Sequence, residues 1–344
     1  MEYAKEINIR EAVVHVLDNN SEEPILNEYV MGLDEDCYNF LYKHVKRCLY
    51  DENLKYAMFD GTNCKVKEKS QQYLNGEIGI LETSKELAKE LFSIMRSKGN
   101  ILSCDLITVS ITTEFGPYLC ILKMDYQKNY MHNIEYVDNK VGISISPQFN
   151  GLPISVSKIQ KCAFIKPLRE NDEYNLMVID KKSKAKNAEE YGADYFTENF
   201  LNCVMINNER DHTRNLFKAV EKWTQNSFTE NAEKQEAVLS KVVTSLKDEE
   251  NIDTDKLADD LFTNAEMKES FKTFLSDYQV EKEIPVDKEW VEKKLKTVKL
   301  KIDGKINISL PEEVYEDKSR FEVVSNGDGS INIVIKNISN YNQK

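Results

Sequence analysis

The sequence predicts an α+β protein in two domains: an N-terminal mixed domain with a largely antiparallel sheet, and a C-terminal helical domain that ends in β-hairpins. Three observations support this prediction. Residues 83–99 repeat apolar side chains at helical spacing, residues 105–126 hold two β-rich runs around a turn, and residues 298–310 alternate apolar and polar side chains around a central Asp-Gly pair. Strands interleaved with a few helices are typical of α+β folds.

In the N-terminal domain, "EAVVHVLDN" indicates a strand and "DEDCYNFLYKHVKRCLYDEN" a helix. The segment "TSKELAKELFSIMRSKG" predicts a second helix, with Thr83 and Glu86 as a capping box and Gly99 as its C-terminal glycine. We expect a hairpin around Glu114–Pro117. Further strands are predicted at "GISIS", "CAFIKPL" and "NLMVIDK".

The apolar pattern stops between Asp180 and Gly192. A chain of 344 residues is long for one core. We therefore expect a domain boundary in this stretch, with domains at residues 1–183 and 184–344.

The second domain changes to helical spacing. Four apolar stripes predict four helix faces: Phe196, Phe200 and Val204; Leu216, Phe217, Val220 and Trp223; Leu239, Val242, Val243 and Leu246; and Met267, Phe271, Phe274 and Leu275. Two hairpins follow, the first around Asp303-Gly304 and the second around "SNGDG". The stripes are typical of helix packing and do not indicate a cofactor site.

Composition restricts the classes of function. The chain carries 46 Lys+Arg against 59 Asp+Glu, a formal net charge of -13. It contains no apolar run near the roughly 20 residues needed to cross a bilayer, so we expect a cytoplasmic protein without membrane contact. Seven cysteines form no C-x-x-C pair and four histidines form no cluster, which predicts buried thiols in a reducing compartment and neither a metal nor a cofactor.

Positive charge nevertheless gathers at "EKKLKTVKLKIDGK", residues 292–305. Val298, Leu300 and Ile302 alternate with lysines, so one strand face should be apolar and the other positive. The candidate nucleic-acid-binding residues are Lys293, Lys294, Lys296, Lys299, Lys301 and Lys305. Neutralising about four phosphates would give a slope near -3.6 in log K against log salt. The alternative interpretation is that these lysines only protect an edge strand from aggregation.

Signals for catalysis are weak. The sequence holds no Gly-rich phosphate loop, no G-x-S-x-G and no H-E-x-x-H. His212 lies in the polar "NERDHTRN", where a helix cap by Asp211 is the simpler interpretation. A metal-dependent nuclease would use Asp125, Asp138 and Lys140, with the turn chemistry of Asp138-Asn139 as the alternative.

Four segments resemble one known family in their order and spacing: "INIREAVVHVLDN", "GADYFTENFLNCV", "TRNLFKAVEKWTQ" and "IPVDKEWVEKKLKTVKLKIDGKINISLPEEVY". They are similar to the bacterial nucleoid-associated protein family NdpA/YejK, over nearly the whole chain. The resemblance implies a cytoplasmic, non-enzymatic protein that associates with the chromosome through DNA or through proteins on it. It implies no catalytic residues.

The hypothesis with most support is thus a nucleoid-associated protein that binds duplex DNA weakly and without sequence specificity. The alternative is a protein-interaction component of a DNA-transaction or phage-defence complex, acting through nucleoid or DNA-processing proteins without direct DNA binding. A metal-dependent nuclease is the third hypothesis. A homodimer is the default expectation for the assembly.

Overall fold

The computed structural model describes residues 3–61, 64–138, 140–153, 155, 159–181 and 194–340, apart from the side chains of Val137, Asn150, Leu295 and Lys301. Contacts divide the chain into two compact units, an N-terminal unit up to Ile206 and a C-terminal unit from Asn207 onward. The boundary predicted between residues 183 and 184 lies outside the described residues. Residues 194–206, on the C-terminal side of that predicted boundary, belong by their contacts to the N-terminal unit.

Among its described residues, the N-terminal unit mixes three α-helices and one π-helical turn with strands. Its elements are β1 (Ile7–Leu17), α1 (Glu35–Leu49), β2 (Lys55–Phe59), α2 (Lys65–Leu74), α3 (Ile80–Lys98), β3 (Cys104–Thr113), β4 (Gly116–Asp125), β5 (Gln127–Val137), β6 (Lys140–Gly151), β7 (Lys161–Ile165), β8 (Leu176–Asp180), the π-helical turn Tyr195–Phe200 and β9 (Cys203–Ile206).

Seven of these strands form one antiparallel sheet in the order β1-β3-β4-β7-β8-β2-β9. The interior strands β3 and β4 are buried on both faces, which explains why "YLCIL", residues 118–122, is an unbroken apolar run. Helix α3 packs on β1 and β3 through Leu87, Leu91 and Met95. The predicted α+β class and the antiparallel sheet are confirmed.

The C-terminal unit is helical and ends in β-hairpins, as predicted. Its elements are α4 (Glu209–Ser227), α5 (Ala232–Asp248), β10 (Asn251–Asp253), α6 (Thr254–Leu261), α7 (Ala265–Asp277), β11 (Glu283–Pro285), α8 (Lys288–Leu295), β12 (Thr297–Ile302), β13 (Ile306–Pro311), α9 (Glu312–Glu316), β14 (Phe321–Ser325) and β15 (Ile331–Ile335). Trp223 is central to its core, with the rings of Phe228, Phe262 and Phe271 at 5.5, 5.0 and 5.1 Å between centroids.

Two local predictions are wrong. Helix α3 begins at Ile80, one turn earlier than expected, so Thr83 lies inside the helix and its Oγ1 donates to the Gly79 carbonyl (3.0 Å). Phe196 and Phe200 belong to the π-helical turn and Val204 to β9, so they do not share one α-helical face. Both phenylalanines pack in the core of the N-terminal unit, because β9 adds to the edge of its sheet beside β2.

Gly99 does end α3 in the left-handed region, with φ 73°. The seven cysteines are free thiols and all except Cys37 are buried. Burial raises the pKa of the Cys104 thiol to about 12, and the same effect raises the pKa of the Cys203 thiol to about 12.

Candidate nucleic-acid interface

Helix α8 and the hairpin β12–β13 carry the six candidate lysines, which are called the lysine surface below: Lys293, Lys294, Lys296, Lys299, Lys301 and Lys305. Asp287 caps the helix, since its carboxylate accepts from the Trp290 N–H (2.9 Å). The Lys296 N–H donates to the Glu292 carbonyl (3.0 Å) and ends the helix, and β12 follows at once. The last turn of a helix and a strand are therefore joined without a linker.

The register of the hairpin separates an apolar face from a polar one. Val298, Leu300 and Ile302 lie opposite Leu310, Ile308 and Ile306. The other set of pairs places Thr297, Lys299 and Lys301 opposite Pro311, Ser309 and Asn307. The predicted alternation is confirmed at the level of the backbone, and the polar face contains two lysines and no acidic residue.

The turn that joins these strands fixes the register. Asp303 and Gly304 both have positive φ, 47° and 70°, and the Lys305 N–H donates to the Ile302 carbonyl (3.1 Å), which is the geometry of a primed turn within a three-residue loop between the paired Ile302 and Ile306. Asp and Gly are among the residues that accept this conformation most readily. A slip by one residue would bring the aliphatic side chains to the polar face.

The lysines differ in their surroundings. Lys294, Lys296, Lys299 and Lys305 are exposed. Lys293 is also exposed, and it forms an ion pair with Glu289 one turn earlier on α8 (2.8 Å). The side chain of Lys301 lies outside the described residues, so only its backbone position on the polar face is known.

Two carboxylates near the hairpin are paired with a lysine outside the lysine surface. The Lys247 ammonium contacts Glu312 (2.5 Å) and Glu316 (2.7 Å) of α9, and these hydrogen bonds raise the pKa of Lys247. Burial raises the pKa of Glu221 on α4, and the positive charges of Lys294 and then Lys218 act in the opposite direction. Pairing of Glu312 and Glu316 with Lys247 reduces their influence on the hairpin lysines.

The nuclease arrangement is wrong. Asp125 ends β4 and forms an ion pair with the buried Lys123. Asp138 lies at the opposite end of β5, in the turn before Lys140, with φ 52°. Eleven residues of strand separate the two carboxylates by about 37 Å, so they cannot share a metal ion. Within the described ranges, no three His, Cys, Asp or Glu side chains form a group that could hold a metal.

His212 has the surface role that the sequence favoured. Asn208 and Asp211 form a reciprocal capping box at the start of α4, with Asp211 N–H to Asn208 Oδ1 at 3.0 Å. Arg214 donates to the Asp211 carboxylate (2.6 Å), and His212 Nδ1 lies 3.8 Å from Glu281. These contacts stabilise the start of the helix.

Sequence reasoning missed a row of buried charges across the N-terminal sheet. Lys123, Lys161 and Asp180 occupy neighbouring positions on β4, β7 and β8, with both lysines at most 3% exposed. Asp125 and Asp180 neutralise these lysines, and the Lys161 ammonium lies 5.2 Å from the centroid of the Tyr195 ring. A single lysine inside each of two apolar runs, "LCILKMD" and "QKCAFI", was the available signal.

Sequence reasoning also missed β5, which pairs with β6 over eleven and twelve residues. This hairpin, Gln127–Gly151, is called the arm below. Only Tyr126 separates it from β4, so it continues directly from a strand of the sheet.

Comparison with known proteins gives one match. The model of the family described as nucleoid-associated protein YejK matches residues 13–343, nearly the whole chain. No curated protein matches the chain. Among the helices of the described residues, none combines the length and the apolar composition needed to cross a membrane.

Proposed function

Because the chain belongs to the family of the nucleoid-associated protein YejK, we propose that it is a non-enzymatic protein of the bacterial chromosome that binds duplex DNA weakly and without sequence preference. The proposed contact is the lysine surface. The observation that carries the proposal is the register of β12 and β13, which puts two lysines and no carboxylate on one face. The proposal includes a cytoplasmic location at the nucleoid and requires no cofactor.

Net charge makes a local contact necessary. With a formal charge of -13, the protein as a whole is repelled by phosphates. Salt screens charges beyond about 8 Å at physiological ionic strength, so a positive patch acts on DNA almost independently of distant carboxylates. The five lysines of the surface that are described as exposed are therefore the groups that determine the sign of the local potential, with Lys293 partly neutralised by Glu289.

Lysine chemistry favours binding without sequence preference. An ammonium is a point charge without the planar fork by which Arg reads guanine, and residues 292–305 contain no arginine. Phosphate contacts position a protein on the duplex but carry no base information. We therefore expect similar affinity for duplexes of different sequence.

The test is a salt titration with duplex DNA of random sequence. If about four phosphates are neutralised, log K should fall with a slope near -3.6 against log salt, or about 150-fold between 50 and 200 mM. In a variant with Lys294, Lys296, Lys299 and Lys305 changed to Gln, the slope should flatten by about 0.9 for each phosphate that is no longer neutralised.

A matched control removes the same charge elsewhere in the C-terminal unit. Lys234, Lys241, Lys256 and Lys282 are exposed and lie outside α8 and the hairpin, so their change to Gln alters net charge equally. The control should keep most of the wild-type slope. An equal flattening in both variants would refute a contact at the lysine surface, and no binding by the folded wild type at low salt would refute direct DNA contact.

The second candidate function is chromosome association through a partner protein. The acidic surface of this chain would suit docking on a basic DNA-binding protein, which is the observation that favours this route. In that case the purified protein would not bind DNA alone. It would join the DNA complex only after the basic partner is added.

A further inference from the structure

The arm presents one face that is almost entirely apolar. In the register of β5 and β6, even-numbered residues of β5 share a face with odd-numbered residues of β6. The residues of this apolar face are Tyr130, His132, Ile134, Tyr136, Val141, Ile143, Ile145 and Pro147. Phe149 lies beside Tyr130 at the base, since the Lys128 ammonium is 5.1 Å from one ring centroid and 5.6 Å from the other.

This face is exposed in the single chain. Seven of its large apolar side chains are 51–77% exposed: Tyr130, Ile134, Tyr136, Val141, Ile143, Ile145 and Phe149. An aromatic side chain buries about 150–250 Å² when covered and an aliphatic one somewhat less, so at these exposures the seven side chains expose on the order of 800 Å² together. The largest apolar patch of a typical monomer is only about 300–600 Å².

The length of the arm adds a second argument for a partner. An isolated two-stranded ribbon is marginally stable in water, and strands of 11 and 12 residues exceed the usual 3–10. Such a ribbon becomes stable when another layer covers its apolar face. The exposed area, roughly 800 Å², is what each partner contributes to a standard interface.

The charges of the arm indicate what that partner is. Residues 127–151 contain Lys128 and Lys140 against Glu135 and Asp138, a formal charge of zero, which gives no attraction for phosphates. Lys128 lies at the base of the apolar face, with its ammonium over the Tyr130 and Phe149 rings, and from Tyr130 to Pro147 the face carries no Asp, Glu, Lys or Arg. Beyond that base position, two copies of this face can therefore meet without like-charge repulsion, as a two-fold symmetric interface requires.

We propose that the apolar face of the arm binds the same face of a second copy of this chain, forming a homodimer. The layers pack about 10 Å apart, as two sheets do. Each copy carries a net charge of -13, so salt weakens the repulsion between the rest of the two molecules. Dimerisation therefore strengthens or stays constant as salt rises, whereas phosphate binding weakens.

The experiment is sedimentation velocity of the purified full chain from about 0.1 to 100 μM, because interfaces of this area have dissociation constants of micromolar or below. We expect a species of twice the 39.9 kDa chain mass, populated at the higher concentrations and not dissociated by added salt. A variant with Ile143→Glu and Ile145→Glu places charges on the apolar face and should remain a monomer.

The control variant, Ser144→Glu with Gln148→Glu, adds the same charge to the same strand on the opposite face. It should dimerise like the wild type. Independently of any substitution, amide hydrogen exchange of residues 127–151 should slow as the protein concentration rises through the dissociation constant.

Each result has one meaning. A wild type that is monomeric at every concentration overturns the proposal and leaves the face for a different protein. Dimers that persist in the Ile143→Glu, Ile145→Glu variant assign dimerisation to another surface and overturn it equally. If both variants are monomers, hydrogen exchange decides: concentration-dependent protection of the wild-type arm supports the proposal, and its absence overturns it.

Discussion

His15 should make the stability of the N-terminal unit fall as the pH is lowered. The ring is 1% exposed, and its Nδ1 accepts from the Asn27 N–H (3.0 Å). Nε2 must then carry the proton, which it donates to Ser84 Oγ (2.9 Å). Protonation of Nδ1 would break the first hydrogen bond and place a charge in the core.

Burial, with a further contribution from the positive charge of Lys85, lowers the pKa of His15 from 6.5 to about 4. Between pH 6.5 and about pH 4 the unfolded chain thus binds more protons than the folded one. The contribution of His15 to the free energy of unfolding is therefore fully present above about pH 7.5 and is lost as the pH falls. The loss reaches about 2 kcal/mol at pH 5 and about 3 kcal/mol below pH 4.

The assay is native-state hydrogen exchange of peptides from β1 and β3, at about pH 8 and about pH 5, in the wild type and in His15→Gln. Both tryptophans, Trp223 and Trp290, belong to the C-terminal unit, so denaturation followed by their fluorescence serves as an internal control. The variant should lose about 2 kcal/mol less than the wild type between the two pH values, whereas the fluorescence transition should shift equally in both proteins. Equal losses in β1 and β3 would refute a neutral, buried His15.

Two further predictions concern stability. Lys161→Met should destabilise the N-terminal unit by about 3–5 kcal/mol, as measured by urea unfolding, because it leaves the buried Asp180 carboxylate without its ammonium partner. Adding Asp180→Asn should restore part of the lost stability. A double variant no more stable than Lys161→Met would contradict the pairing. Asp287→Ala should lower the free energy of unfolding of the C-terminal unit by about 1 kcal/mol, because the α8 cap is lost. Urea unfolding followed by tryptophan fluorescence measures this change, and an unchanged midpoint would contradict the capping role.

The proposed DNA contact and the proposed dimer depend on different surfaces in different units. The lysine surface belongs to the C-terminal unit and the arm to the N-terminal unit. Their expected salt dependences are opposite, because one interaction releases counterions and the other is resisted by like net charge. Substitutions in one unit should therefore leave the primary interaction of the other unit intact.

Elements with local signals could be predicted from the sequence. The Asp303-Gly304 turn and the glycine that ends α3 each depend on a few adjacent residues, and both predictions are confirmed. The alternation around Lys299 also predicted its strand face correctly. Such features follow from the sequence because caps, turns and periodicity are set by neighbouring backbone groups.

Elements defined by distant partners could not be predicted. Val204 follows a short apolar segment that is equally compatible with a helix, and pairing with β2 makes it a strand. Lys161 stands in a buried row because a different strand, β8, brings Asp180 beside it. The residues around Val204 do not identify β2 as its partner, and those around Lys161 do not identify Asp180.

The arm shows most clearly what the sequence alone determines and what depends on tertiary structure. The alternation that gives residues 127–151 one apolar face is present in the sequence, although strand β5 was not predicted from it. Only the tertiary structure shows that the arm forms a sheet of its own, separate from the seven-stranded sheet, and that the described parts of the chain leave its apolar face exposed. Periodicity specifies which side chains share a face, whereas what covers that face depends on chain connectivity and on long-range packing.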